Sequence, residues 1–172
     1  MLIFKIVVLN GNPTSGKNTF AELCEGFSAT EHISYVDFTR DMLDNVGVNY
    51  HGKTAADRQL LETVNDALEK HSDLPFLDIC RFTENLSTLF TGILFVDIRK
   101  PENIKRYVER FPQTITVFVD DGKPATNVTF SDSVVKDMKY DYTISNTGTI
   151  EQLRDKAKLF VETIMQKETT EK

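Results

Sequence analysis

The stretch LNGNPTSGKNTF, residues 9–20, decides the reading of this chain. It follows an apolar run and opens the segment NTFAELCEGF, which has helical spacing, so a glycine-rich loop joins a buried strand to a helix. Gly11 to Lys17 satisfies the spacing G-x-x-x-x-G-K in that setting. In such a loop successive backbone N–H groups point inward at phosphate oxygens, and the first helical turn adds partial positive charge. Gly11, Asn12, Pro13, Thr14, Ser15 and Gly16 are therefore candidate phosphate contacts, with Lys17 reaching the outer phosphates. A plain glycine turn is the competing reading, and the spacing together with both flanks argues against it. Asn18 stands where these loops usually place a hydroxyl for Mg2+; its amide oxygen is a usable, uncharged substitute, and Thr19 offers a hydroxyl one residue on.

Outward from the loop, β-rich runs recur as LIFKIVVLN (2–10), HISYVDF (32–38), GILFVDI (92–98) and TITVFV (114–119), with a weaker YTIS at 142–145. The first, third and fourth are nearly continuously apolar, the pattern of strands covered on both faces. Helical stretches lie between them. Residues 54–72 put Leu60, Val64 and Leu68 on one stripe, and Thr54 with Asp57 offers a capping box. Pro101 suits a first helical turn ahead of Ile104, Tyr107, Val108 and Phe111. A last helix starts at Thr149, with Gln152 three residues on, and is expected to bury Ile150, Leu153, Ala157, Val161 and Ile164. This alternation predicts an α/β fold, a doubly wound parallel five-stranded sheet with ligands beyond the carboxyl ends of its strands.

At 172 residues the chain is expected to form a single domain. Twenty-six acids against twenty bases leave a formal charge of −6, which opposes attraction to nucleic acid or to an anionic membrane. The apolar start is interrupted by Lys5, is too short to span a bilayer and lacks a small-residue cleavage site, so a cytoplasmic protein is expected. Cys24 and Cys80 have no C-x-x-C spacing, and the three histidines are scattered, which argues against a disulfide framework or a zinc site.

Residues at the carboxyl ends of the strands carry the remaining chemistry. Asp97 near the end of the third apolar run is costly unless it meets a cation or metal-bound water, and Arg99 competes as its partner or clamps an acceptor phosphate in bidentate fashion. Asp37 closes the second run, Arg40 opens the next helix, and Lys53 and Arg58 flank a helix start after GVNYHGK, which makes residues 39–75 the candidate acceptor-binding insert. Phosphoryl transfer needs cations around acceptor and donor alike. Residues 120–138, with Gly122 and Pro124, read as a lid, and the stretch DDGKPATNVTFSDSVVKDMK that covers them offers Lys123, Lys136 and Lys139 and no arginine. Asn146 and Gly148 can turn the chain sharply after YTIS, and Thr149 can cap the helix that follows.

NGNPTSGKNTF resembles the S-G-K-D-T form of the phosphate loop in deoxynucleoside monophosphate kinases, where an acid or amide replaces the first hydroxyl and threonine follows. FVDIRKPENI resembles the segment after their third strand, and YDYTISNTGTIEQL the closing strand, turn and helix they share with dephospho-coenzyme A kinases. The resemblance implies a P-loop kinase fold that binds ATP with Mg2+ and transfers a phosphoryl group to a small phosphorylated acceptor, foremost a nucleoside or deoxynucleoside monophosphate. Lys17, Asp97 and Arg99 would be catalytic, Gly11 to Thr19 would hold the nucleotide, and Thr19 with Asp97 would organise Mg2+, partly through water. Asp37, Arg40, Lys53, Arg58 and Arg99 would face the acceptor, and the loop around Asn146 would lie near the adenine. Expected partners are small-molecule nucleotides, with no nucleic acid and no membrane, in a monomer or homodimer. Two alternatives stay open: a dephospho-coenzyme A kinase-like enzyme acting on a ribose hydroxyl, and a nucleotide-binding protein without turnover, which Asn18 and the arginine-free lid would suit.

Overall fold

The computed structural model describes residues 3–48, 54–123 and 138–166. In chain order the elements are β1 (Phe4–Gly11), α1 (Lys17–Cys24), β2 (Thr30–Ser34), α2 (Asp37–Asn45), α3 (Ala55–Ser72), α4 (Leu74–Leu89), β3 (Gly92–Asp97), α5 (Pro101–Arg110), β4 (Ile115–Asp120), β5 (Tyr142–Ser145) and α6 (Ile150–Gln166). The five strands form one parallel sheet in the order β2-β3-β1-β4-β5. Strand order reverses beside β1, whose neighbours β3 and β4 lie on opposite sides, and the carboxyl end of β1 is thereby the switch point where such sheets bind ligands. The chain divides into two compact units, Met1–His32 with Leu89–Lys172, and Ile33–Thr88.

In the first unit, consecutive residues Ile6, Val7 and Val8 of β1 and Ile93, Leu94, Phe95 and Val96 of β3 are all buried, so both faces of the sheet centre are covered, as the unbroken apolar runs predict. Val7, Leu9, Phe95, Val117 and Val119 pack against Phe20 and Cys24 of α1 and Leu153, Ala157, Phe160 and Ile164 of α6. Phe20 and Phe160 pack at a tilt with centroids 5.5 Å apart, and truncating a buried aromatic of this kind costs about 3–5 kcal/mol. Thr149 and Gln152 form a reciprocal cap at the start of α6, as their spacing predicts. Ile150 is the exception there: it precedes the buried stripe and is 51% exposed.

In the second unit the structure corrects three expectations. β2 ends at Ser34, because the Asp37 carboxylate accepts the Ser34 backbone N–H at 2.6 Å and folds the chain into a turn. Asp37 therefore does not close a strand but starts α2, and Arg40 lies within the first turn of that helix rather than opening it. The buried stripe of α3 runs through Leu61 and Asn65, one residue on from the predicted Leu60, which is exposed. The Thr54–Asp57 capping box is present. α4 went unassigned in the sequence, although Phe76, Ile79, Cys80 and Thr83 form its buried stripe at helical spacing. Among the described residues no helix is long and apolar enough to cross a membrane.

Candidate functional site

The switch point is occupied by residues 11–19. The backbone takes left-handed conformations at Thr14 (φ 66°) and Gly16 (φ 93°), which wind the loop before α1 begins at Lys17. Left-handed backbone costs a glycine little and a threonine more, of order 1 kcal/mol, so Thr14 stores strain at the loop's exposed tip. The Ser15 backbone N–H donates to the Asn12 carbonyl at 3.1 Å, closing the turn. Gly11 is packed so closely that a Cβ there would collide with the Ser15 hydroxyl and the Val119 carbonyl. The loop's path thus needs glycine at both ends of the motif.

α1 starts with no side-chain cap and no acidic residue in its first turn. Its leading N–H groups lack the local oxygen that usually satisfies them, the condition under which a helix start takes an anion. The Lys17 ammonium is folded back over the loop and donates to the carbonyls of Gly11 at 2.8 Å and Asn12 at 3.2 Å. Asn18 is exposed and Thr19 half-buried in the same turn. The Ser15 hydroxyl is buried and makes no hydrogen bond.

Around this loop the sheet contributes amides and carboxylates. Asn10 is buried and donates its side-chain N–H to the Ile98 carbonyl at 2.8 Å, tying the end of β1 to the end of β3. β1 and β3 run in register with Val8 beside Val96, which brings Asp97 and Arg99 to the edge from which the loop springs. The Asp97 Oδ1 is buried and accepts no hydrogen bond; the Arg99 Nε is 3.6 Å away, close enough to attract but too far to bond. Both competing roles assigned to Arg99 thus start from a loose pair.

On the other side of β1, Asn12 donates to the Lys123 carbonyl at 3.3 Å. Asp120 and Asp121 use their carboxylates locally, accepting the backbone N–H groups of Gly122 at 2.9 Å and Lys123 at 3.2 Å. Asn146 donates to the Ser15 carbonyl at 2.8 Å. Neither loop contact of Asn12 and Asn146 was legible in the sequence, since the partners lie 111 and 131 residues away and an amide in a turn is explained by the turn alone.

The acceptor candidates belong to the second unit. Asp37 and Arg40 bind each other at 2.6 Å on the surface of α2. Arg58 lies half-buried in the first turn of α3, its side chain without a partner among the described residues. Lys53, and residues 124–137 of the lid segment with Lys136, lie outside the described residues. Among the described residues no group of three or more His, Cys, Asp or Glu side chains could hold a metal. Cys24 and Cys80 are free and buried, and burial pushes the Cys24 thiol up to about 12, so both act as packing residues.

No protein-family model matches the chain, and no curated protein does. Solved structures do. A cysteine-to-alanine mutant of the Mycobacterium tuberculosis APS kinase superposes with a TM-score of 0.52 at 13% identity, over 94% of this chain and 99% of that one. A sugar kinase from a Janibacter species gives 0.53 at 14% identity over 94% and 95% of the two chains, and the shikimate kinase of Aquifex aeolicus gives 0.51 at 14% over 91% and 96%. The fold is that of the P-loop kinases. In this P-loop kinase fold the glycine loop, the uncapped α1 and the Asp97 edge all gather at the carboxyl end of β1. Identities this low carry the P-loop kinase architecture alone, so the chemistry is argued from the residues themselves.

Proposed function

We propose that this protein is an ATP-dependent phosphotransferase acting on a small phosphorylated acceptor, foremost a nucleoside or deoxynucleoside monophosphate. The observation that carries the reading is the start of α1: an uncapped helix terminus without a first-turn acid, entered through a left-handed Gly16 and flanked by the Lys17 ammonium. A polyphosphate chain is the ligand whose negative charge and oxygens suit an uncapped helix start beside a lysine. The small acceptors named for the kinases of similar fold support the same class of reaction.

The division of labour follows from charge. Lys17 leaves its carbonyl partners to neutralise the outer phosphates, while the loop amides hold the inner ones and so fix the terminal phosphoryl group in line for attack. Arg99, 3.6 Å from Asp97, is proposed to turn its guanidinium to an acceptor phosphate. Arg58, Arg40 and Lys53 are the remaining cations proposed for the acceptor, with Asp37 orienting Arg40.

Mg2+ fits the residues present. The buried Asp97 Oδ1 without a hydrogen bond is an oxygen that calls for a cation or metal-bound water. A single carboxylate, the Thr19 hydroxyl and phosphate oxygens make the sparse donor set this ion accepts, in keeping with the lack of any three-ligand cluster among the described residues. When bound, the ion supplies neutralising charge to the transferring phosphoryl group.

Thermal-shift measurement with Mg-ATP and a panel of monophosphates, followed by coupled assay of ADP release, tests the proposal. Stabilisation by ATP with ADP release on a nucleoside monophosphate is expected. Transfer only to dephospho-coenzyme A would move the protein to that class of kinase. Binding of ATP with no transfer to any acceptor would make it a nucleotide-binding protein without turnover, and no stabilisation by any nucleotide would end the kinase reading.

A further inference from the structure

Asn146, directly after β5, reaches the glycine loop through its 2.8 Å bond to the Ser15 carbonyl. Its own backbone N–H donates to the Asp120 carbonyl at 2.6 Å, which pins residue 146 to the carboxyl end of β4. The amide is thus presented to the loop from the rigid end of the sheet rather than from a tethered side chain on a loose turn.

The carbonyl it holds belongs to the Ser15–Gly16 peptide. In a trans peptide C=O and N–H point in opposite directions, and the described chain has no cis bond. With the Ser15 oxygen turned to Asn146, the Gly16 N–H must face the other way, and it finds no partner among the described residues. The fit between the two residues is close: a Cβ on Gly16 would run into the Asn146 side chain. Were this peptide to flip, which glycine at 16 allows sterically, a carbonyl dipole would replace an N–H donor in the place where the phosphate-facing amides gather.

We infer that Asn146 is a positioning residue of the phosphate loop, which locks the Ser15–Gly16 peptide in the orientation that offers the Gly16 N–H to an anion. The inference rests on the nucleotide reading above for the identity of that anion, and on hydrogen-bond geometry alone for the lock. An amide is required because the group must donate to a carbonyl; an isosteric carboxylate would repel the Ser15 oxygen and place a negative charge beside the loop.

The test compares Asn146→Ala and Asn146→Asp with Thr149→Ala, which loosens the cap of α6 without touching the loop. Mg-ATP affinity is measured by calorimetry, and the Gly16 amide is followed by NMR in the ligand-free protein. Asn146→Ala is expected to weaken Mg-ATP about tenfold, the effect of one lost hydrogen bond, and Asn146→Asp more, while Thr149→Ala keeps the parent affinity. In both Asn146 variants the Gly16 amide resonance shifts. Parent-like affinity in Asn146→Ala, or an equal loss in Thr149→Ala, overturns the inference. If the parent binds no nucleotide at all, the kinase reading fails separately, and an unchanged Gly16 amide in Asn146→Ala then overturns the lock while a changed one supports it.

Discussion

At the scale of single residues, Lys17 carries the most. Its ammonium makes two bonds to loop carbonyls, so replacing it with alanine removes a charge-assisted contact as well as the counter-charge proposed for a bound phosphate. The first effect is worth about 1.5–3 kcal/mol and lowers the melting temperature of the ligand-free protein by several degrees, at about 2–4 °C per kcal/mol for this size. The second is read separately: ATP at a hundred times its dissociation constant adds about 2.7 kcal/mol, a rise of roughly 5–10 °C, and in Lys17→Ala that rise is expected to vanish. A mutant that melts earlier yet keeps the full ATP shift would show that the ammonium does not meet the phosphates. The loop was legible because spacing and flanking elements are local properties, and Gly11, Gly16 and Lys17 needed nothing beyond residues 9–20. The roles of Asn10, Asn12 and Asn146 were not, because each donates to a backbone carbonyl of a distant segment, and carbonyls have no side-chain identity for a sequence to display.

At the scale of elements, the second unit holds two sites where polar groups decide stability. Thr39 on α2 and Asn65 on α3 are buried and joined by a 2.8 Å hydrogen bond. Asn65→Ala leaves the Thr39 hydroxyl buried without that partner, and urea unfolding is expected to register a loss of about 2 kcal/mol; a neutral result would mean that water or a rearranged rotamer satisfies the hydroxyl. The same pair explains why the α3 stripe was read one residue early: Leu60, Val64 and Leu68 follow the apolar count, whereas the packed face centres on an asparagine that such a count scores as solvent-facing. On α4, burial and the nearby carboxylates of Asp41 and Asp37 raise the Asp78 pKa above its ordinary 3.8, with Arg81 opposing them. The folded state therefore binds this proton more tightly than the unfolded chain, and stability falls as pH rises through the window above 3.8. Asp78→Asn is expected to stabilise the protein at pH 7, with a gain that shrinks as pH drops toward 3.8, followed by urea midpoints across that range. A lower midpoint than the parent at neutral pH would mean that the Arg81 attraction outweighs burial and repulsion. The misplaced end of β2 has a similar origin: residues 33–38 are rich in aromatic and β-branched side chains, while the Asp37 carboxylate turns back to Ser34 where the strand ends.

At the scale of the whole molecule, alternation of apolar runs with helical stretches was enough for the parallel sheet, since continuous burial on both faces leaves unbroken apolar runs without the alternation of a strand that has one face in water. The order β2-β3-β1-β4-β5 adds what the alternation lacks, a single switch point at β1. That topology places the donor candidates, residues 11–19 with Asp97, in the first compact unit, while Asp37, Arg40 and Arg58 belong to the second. Donor and acceptor chemistry should then be separable by where each ligand protects the backbone. In hydrogen exchange read by mass spectrometry, Mg-ATP alone is expected to slow exchange in peptides covering residues 11–24 and leave those covering residues 37–45 and 55–72 near their ligand-free rates, because stabilisation by a bound ligand appears first where its hydrogen bonds form. A nucleoside monophosphate alone should do the reverse, with protection centred on the first turn of α3 around Arg58. Protection of the 11–24 peptides by the monophosphate, with no added effect of Mg-ATP there, would mean that the glycine loop holds the acceptor rather than the donor, and the direction of transfer assigned to this site would have to be reversed.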